Sequence, residues 1–157
     1  ARPLRMITTG DVTVDVEPPH CYQIKIPVVP VPASRPRMAR KSGRVYYGKR
    51  YTEFRRDCDF LLNSVEWMPC FPLDKLLAVS VKFLVPRPKK TKRLVPRGDV
   101  DNYFKSLDVL NDVVWRDDDQ IVWASMTKQF ADEGSILLEV MEVDKILETR
   151  RMSELWV

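Results

Sequence analysis

The residues best suited to chemistry are aspartates that occur in two clusters, Asp99 with Asp101, and Asp117 with Asp118 and Asp119. Residues two apart in an extended segment point to the same side, so Asp99 and Asp101 are expected to present their carboxylates together. Three consecutive aspartates repel one another unless solvent or a cation compensates their charge. The clusters therefore predict either a site for a divalent cation or a solvated acidic surface, and the residues alone favour neither.

The ligand types in these clusters indicate which metal would bind. Hard carboxylate oxygens without His or Cys favour Mg²⁺, with Mn²⁺ possible, over Zn²⁺. His20 is the only histidine, and it lies in an N-terminal segment that reads as weakly structured, so a histidine general base is not expected. A cation held by the aspartates would activate water and stabilise charge on a phosphate and on the leaving oxygen. The predicted chemistry is hydrolysis of a phosphodiester.

Two residues near the first cluster each have a structural and a chemical interpretation. Asp101 stands where the N-cap of the following helix belongs, which would explain this carboxylate but not that of Asp99. Lys105 lies one helical turn beyond Asp101, so it could approach a scissile phosphate or simply pair with Asp101. The spacing favours both uses of Lys105 equally.

Two basic segments, residues 35–56 and 87–97, precede the first cluster and contain a single acid between them, although the net charge of the chain is only +4. Cations in such segments could hold a polyanion, and tyrosines in the first segment could stack on unpaired bases. An ordinary solvated surface is the alternative for each segment alone. We predict DNA contacts for the following residues: Arg35, Arg37, Arg40, Lys41, Arg44, Lys89, Lys90, Lys92, Arg93 and Arg97.

A sheet and two helices must position these side chains. Alternating apolar residues predict strands at 22–28, 77–85, 120–130 and 135–143. Helical spacing predicts helices at 52–66 and 102–113, and a long proline- and arginine-rich loop precedes the first of them. The last two strands are expected to form a hairpin. The predicted fold is α+β, a single domain with a mixed β-sheet and two main helices.

Length and composition fit one soluble domain with short extensions. The chain has 157 residues, 45% of them hydrophobic, and no long apolar run. We divide it into a poorly structured N-terminal extension (1–20), a central domain (21–144) and a tail (145–157) that could form a short helix and a dimer contact. The three cysteines have no metal-ligand spacing, which favours reduced thiols and a cytoplasmic protein.

The order of the motifs resembles the RusA family of Holliday junction resolvases. Residues 97–105, R-G-D-V-D-N-Y-F-K, resemble the family's D-x-D-N-x-x-K segment at a helix start. Residues 115–121, W-R-D-D-D-Q-I, resemble its D-D-x-Q segment, which opens the next strand. The early strand, basic loop, helix and strand occur in the family's order, and the resemblance covers about residues 22–144.

The resemblance implies a role for each matching residue. Asp99, Asp101 and Asp118 match the catalytic aspartates that hold the metal, Lys105 matches the active-site lysine, and Asn102 matches the neighbouring asparagine. Asp117 is expected to support the site. The sequence differs from the family pattern in three places. Gly98 occupies a position where a basic residue often precedes the first aspartate, and the stretch from 105 to 115 is short. Asp119 is an additional acid in the second motif.

The resemblance implies a homodimer that resolves four-way DNA junctions by paired symmetric nicks with Mg²⁺, in recombination and repair, in a bacterium or its phage. Two equivalent sites suit two opposed incisions in a junction with two-fold symmetry. The alternatives are a non-catalytic protein that binds branched or single-stranded DNA, and a nuclease that cuts forks or flaps.

Overall fold

The computed structural model describes residues 4–6, 12–17 and 21–143 of the chain. The tail at 145–157, with its predicted short helix, and the remaining residues of the N-terminal extension lie outside the described residues. No helix among the described residues is long and apolar enough to cross a membrane.

Within the described residues, eight strands form two sheets. They are β1 (Leu4–Met6), β2 (Thr13–Glu17), β3 (Cys21–Ile26), β4 (Arg37–Met38), β5 (Val45–Tyr46), β6 (Leu77–Pro86), β7 (Ile121–Ala131) and β8 (Ser135–Glu142). The large sheet has the order β1-β2-β3-β8-β6-β7 and is mixed, because only the β6–β7 pair is parallel. β4 and β5 pair with each other in a small separate ribbon. The predicted α+β class with a mixed sheet and two helices is confirmed.

The predicted hairpin of the last two strands is wrong, because β6 lies between β7 and β8. Strand β6 carries a dense run of buried apolar residues, which suits a central strand better than an edge. The chain passes from β7 to β8 across the end of β6 at Pro86. Gly134 permits this crossing, since a Cβ there would lie 2.8 Å from Val29 Cγ2 and 3.3 Å from Pro86 Cδ.

The expectation of a poorly structured segment at 1–20 is wrong for the residues that form β1 and β2. β2 pairs with β3 in a register that places Val14 opposite Ile24. Val12 and Val14 are both buried in the main core. Valines at 12, 14 and 16 alternate with polar residues, a pattern typical of a strand with one buried face.

The part of the chain that the structure describes contains two α-helices, and both contribute to the core that covers the apolar face of the large sheet. Helix α1 (Lys49–Asn63) confirms the first predicted helix, and it buries Tyr51, Phe54, Cys58 and Leu62. Helix α2 (Val100–Lys105) is only six residues long and continues as a 3-10 helix at Ser106–Leu110. The predicted helix at 102–113 is therefore wrong in its second half. Four of the five residues in the 3-10 segment are buried, so this segment lacks the polar face that a surface α-helix would present.

The core joins the sheet to both helices. The rings of Phe83 and Tyr103 lie with centroids 5.4 Å apart, linking β6 to α2. All three cysteines are free thiols, as expected, and burial raises the pKa of the Cys58 thiol to about 12. The opposite face of the large sheet is polar and includes Gln23, Lys82 and Glu139.

The burial of β2 in the core leads to a prediction about stability. Val14 is 2% exposed, so Val14→Ala should lower the free energy of unfolding by about 2 kcal/mol through lost burial and the cavity left behind. Val45→Ala is the matched control: this valine is 61% exposed, and its truncation should change stability by less than about 0.5 kcal/mol. Urea denaturation measures both. Equal effects of the two substitutions would contradict the placement of β2 in the core.

Candidate active site

Gly98 fixes the backbone that leads into Asp99. Its φ of +96° lies in the region that favours glycine. A Cβ at this position would lie 3.0 Å from Pro32 Cγ and 3.3 Å from Tyr103 Cε2. The glycine that departs from the family pattern is therefore explained by the close approach of the proline-rich loop and of α2.

Three hydrogen bonds hold the carbonyl groups of the segment before Asp99. The Tyr103 hydroxyl donates to the Arg97 carbonyl at 2.7 Å. The Lys128 ammonium donates to the carbonyls of Pro96 at 2.8 Å and Gly98 at 2.5 Å. Sequence reasoning missed Lys128. The available signal was period two, which places Lys128 on the same face of the strand as the apolar residues Met126 and Phe130.

Asp99 and Asp101 do not lie in one extended segment. Asp99 occupies the N-cap position of α2, and Asp101 lies in the first helical turn. The capping interpretation of Asp101 is therefore wrong, as is the expectation that period two aligns both carboxylates. Neither residue is buried, and the Asp99 side chain accepts no capping hydrogen bond. Its carboxylate is not used to stabilise the helix.

Lys105 lies beside Asp101, with 3.7 Å between Nζ and Oδ2. Both side chains are about two-thirds exposed (66% and 65%), so the pair adds little stability. The pairing interpretation of Lys105 is confirmed. Its predicted approach to a phosphate stays a prediction, because an exposed and loosely held lysine remains available to an anion.

The second carboxylate cluster forms a tightly hydrogen-bonded turn. Residues Asp118–Gln120 make a 3-10 helix that is closed by a capping box. The Asp117 carboxylate accepts from the Asp119 amide at 2.9 Å, and the Gln120 side-chain oxygen accepts from the Asp117 amide at 2.8 Å. Gln120 Nε2 donates to the carbonyls of Leu73 at 2.9 Å and Lys75 at 2.8 Å. Asp117 thus shapes the turn that carries Asp118, and its supporting role in the site stays a prediction.

Trp115 anchors the same turn in the core. The indole is fully buried, and its Nε1 donates to Asn111 Oδ1 at 2.9 Å. On either side of Trp115, backbone hydrogen bonds join Val114 and Arg116 to Leu73. The acidic turn is therefore held on a rigid base and is not a loose surface loop.

Negative charge is concentrated around Asp118. Partial burial, a hydrogen bond with Asp117, and repulsion from Asp117, Asp108 and Asp119 together raise the pKa of the Asp118 carboxyl. Asp108 is itself paired with Arg55 of α1 at 2.7 Å. A cation bound near Asp118 would relieve this repulsion, so the electrostatics of the turn fit the predicted metal.

The donor chemistry fits a hard divalent cation, but the acids are not gathered in advance. Among the described residues, no three Asp, Glu, His or Cys side chains are spaced to hold a metal ion by themselves. A Mg²⁺ site commonly uses one or two protein carboxylates together with water and substrate phosphates. The roles of Asp99, Asp101 and Asp118 as ligands stay predictions.

The two basic segments meet beside Asp99. A cavity of about 230 Å³ lies next to Gly98, and Arg50 of the first segment and Arg93 and Arg97 of the second line it together with prolines of the proline-rich loop and of the second segment. The Ala33 amide also donates to the Asn102 carbonyl at 2.8 Å, which ties the first segment to α2. The residues predicted to contact DNA are all exposed, and no described acid forms an ion pair with any of them: Arg35, Arg37, Arg40, Lys41, Arg44, Lys89, Lys90, Lys92, Arg93 and Arg97.

Comparison with known proteins identifies a family for most of the chain. The family model described as "Endodeoxyribonuclease RusA" matches residues 27–141. An uncharacterised protein of Bacillus subtilis (strain 168), YqaN, is 26% identical over 146 residues, which cover 78% of this chain and 97% of that protein. The periplasmic domain of Helicobacter pylori MotB superposes with a TM-score of 0.44 and 9% identity, over 94% of this chain and 96% of the other. A likeness that low carries no argument about fold or function.

The close packing around Gly98 leads to a prediction about stability, for which Gly43 provides the control. Gly43 also has a positive φ (+64°), but nothing lies within 4 Å of its ideal Cβ. Gly43→Ala should therefore cost only the left-handed backbone penalty, about 1 kcal/mol. Gly98→Ala should cost at least about 2 kcal/mol, because the methyl group must also displace Pro32 or Tyr103. Thermal or urea unfolding measures the difference, and equal costs would contradict the packing around Gly98.

Proposed function

Because the chain belongs to the RusA family of endodeoxyribonucleases, we propose that it is a Mg²⁺-dependent nuclease that resolves four-way DNA junctions by paired symmetric nicks. The observation that carries this proposal is the meeting of both basic segments next to Asp99, at the start of the helix that also bears Asp101 and Lys105. Cationic surface and exposed carboxylates adjoin there, as hydrolysis of a polyanion requires.

Asp99, Asp101 and Asp118 would hold the metal. When bound, Mg²⁺ (or Mn²⁺) would supply an activated water and stabilise charge on the phosphate. Asp99 fits this role because its carboxylate is not used as a cap. Asp118 fits because it is exposed and stands between two further aspartates in the acidic turn, whose mutual repulsion a cation would relieve.

Lys105 would exchange its contact with Asp101 for the phosphate or the leaving oxygen, where a positive charge stabilises the transition state. Asn102 supports the site through its backbone, which joins α2 to the proline-rich loop. Asp117 maintains the turn beneath Asp118. Together these residues orient the reacting groups on rigid elements.

The exposed arginines and lysines would bind the arms of the junction. Contacts of this kind are made mainly to phosphates, so affinity should fall steeply with salt. A homodimer would place two equivalent sites on a junction with two-fold symmetry. Two identical sites related by this symmetry would make the paired incisions.

A non-catalytic protein that binds branched or single-stranded DNA is the second candidate. One observation favours it: the described acids form no ready-made group of three that could hold a metal. Binding by such a protein would use the basic segments alone and would not require a divalent cation.

The first test uses an end-labelled synthetic four-way junction incubated with Mg²⁺ and, separately, with EDTA. The native protein should make paired symmetric nicks only with Mg²⁺. Asp118→Asn should abolish nicking and leave junction binding largely intact, because it removes a proposed metal ligand and none of the cations that would contact phosphates. Asp119→Asn is the matched control, since it removes an adjacent exposed acid from the same turn and should retain nicking.

Three results of this test would count against the proposal. Tight binding without nicks in both Mg²⁺ and Mn²⁺ would favour the binding protein. Preferential cutting of forks or flaps would indicate a different branched substrate. Equal loss of nicking and binding in Asp118→Asn would argue against a catalytic role for this residue.

Lys128 should act as a positioning residue, because it holds the carbonyl groups just before Asp99. Lys128→Met should slow single-turnover nicking of bound junction by about tenfold to a hundredfold, since small misplacements of reacting groups cost that much. The dissociation constant for the junction should stay unchanged, and Lys128→Arg should partly restore the rate. Lys82→Met, on the opposite face of the sheet, is the control and should have no effect. A parallel loss of binding and rate in Lys128→Met would contradict a positioning role.

A further inference from the structure

The small ribbon formed by β4 and β5 lies in the proline-rich loop and exposes large apolar side chains. β4 and β5 pair antiparallel, with Met38 opposite Val45 and Arg37 opposite Tyr46. Met38 is 69% exposed, Val45 is 61% exposed and Tyr46 is 47% exposed. Large exposed apolar groups gathered in one place commonly mark a binding surface.

The ribbon has two different faces. Residues directly opposite in an antiparallel pair lie on the same face, and neighbouring residues lie on opposite faces. Met38 and Val45 therefore form an apolar face, while Arg37 and Tyr46 form a cationic and aromatic face. The turn between the strands adds Arg40, Lys41 and Arg44, and residues 35–47 contain no acid. This charge is complementary to a polyanion.

The base of the ribbon is fixed to the body of the protein. The Gly48 amide donates to Ser34 Oγ at 3.2 Å, which closes the ribbon at its base. Tyr47 makes an edge contact with Tyr51 of α1, with ring centroids 5.6 Å apart. The bond from the Ala33 amide to the Asn102 carbonyl joins this base to α2. The ribbon is thus a short projection that is anchored beside the candidate active site.

We infer that the Met38–Val45 face of this ribbon packs against base surfaces exposed at a DNA branch point, and that it gives the protein its preference for branched over linear DNA. The inference rests on the proposed function, which supplies DNA as the substrate. Bases of a linear duplex cover one another's faces by stacking, so an apolar pair finds little to contact there. Base faces become accessible where strands exchange, and apolar side chains such as Met are suited to insert at unstacked steps.

The cationic residues of the ribbon would have a separate role. Arg37, Arg40, Lys41 and Arg44 would contact phosphates, which linear and branched DNA share. Their contribution should be salt-dependent and nearly independent of DNA shape. Base packing and phosphate binding can therefore be distinguished experimentally.

The test uses a four-way junction with 2-aminopurine at one branch-point position, together with a linear duplex of the same arm sequence. Fluorescence of this base analogue rises when it is unstacked. In EDTA, where no strand is cut, binding of the native protein should increase the branch-point fluorescence. The double variant Met38→Gln with Val45→Thr should lose this increase, and its preference for junction over duplex should fall by about tenfold or more, given the usual free energy of burying an apolar side chain. Both replacements are similar in size and lie at exposed positions, so folding should be preserved.

Two control variants separate the possible causes. Val122→Thr makes the same kind of change at a 50% exposed valine of β7 and should leave fluorescence and preference unaltered. Arg40→Gln with Arg44→Gln should weaken binding to junction and duplex alike and reduce the salt dependence.

Several outcomes would overturn the inference. It fails if the native protein binds the junction without raising the fluorescence, or if the Met38–Val45 double variant keeps the native preference. It also fails if that double variant changes the molar mass of the DNA-free protein in light scattering, because the apolar face would then be a contact between protein chains. Failure of the proposed function is distinct, since it would be seen as absence of Mg²⁺-dependent nicking by the native protein.

Discussion

The pairing of β6 with two different strands governs where both carboxylate clusters lie. β6 occupies an interior position of the sheet, antiparallel to β8 and parallel to β7. A parallel neighbour must start at the same end as β6, so the chain has to return along the sheet through α2 and the buried Trp115 before β7 begins. The return segment carries Asp99 and Asp101 at its beginning and Asp117–Asp119 at its end. The candidate site is built on this connection.

The same connection explains why the aspartates are not gathered into one group. The acidic turn leads directly into β7 at Ile121, whereas the segment before Asp99 is held by Lys128 of the same strand. Asp108, between the two clusters along the chain, contributes to the charge around Asp118.

Positive charge near the site comes from parts of the chain that are distant in sequence. Arg50 stands at the start of α1, while Arg93 and Arg97 follow β6, yet all three line one cavity beside Gly98. Lys128 and Arg55 are used differently, since Lys128 binds carbonyl groups and Arg55 pairs with Asp108. The basic residues thus divide into those that hold the site together and those that remain free on the surface for an anionic partner.

The sequence by itself determined the features that depend on local pattern. The apolar alternation of β6 and β8, the helical spacing of α1 and the two aspartate motifs were all legible there, because side-chain periodicity and short motifs are properties of neighbouring residues. The same alternation of apolar and polar residues is present in β2, although residues 1–20 were expected to be poorly structured. The family followed from the order of the motifs.

Tertiary structure alone decided the features that depend on distant partners. No local pattern places β6 between β7 and β8, because strand order is set by which apolar faces can be buried together. Nor does local pattern end α2 at Lys105, where burial of the next residues favours a 3-10 turn. The roles of Gly98 and Lys128 depend on Pro32, Tyr103 and the 96–98 carbonyl groups, which lie near them only in the folded chain. The same holds for the ribbon that exposes Met38 and Val45, because strands of two residues are too short to leave a periodic signal in the sequence.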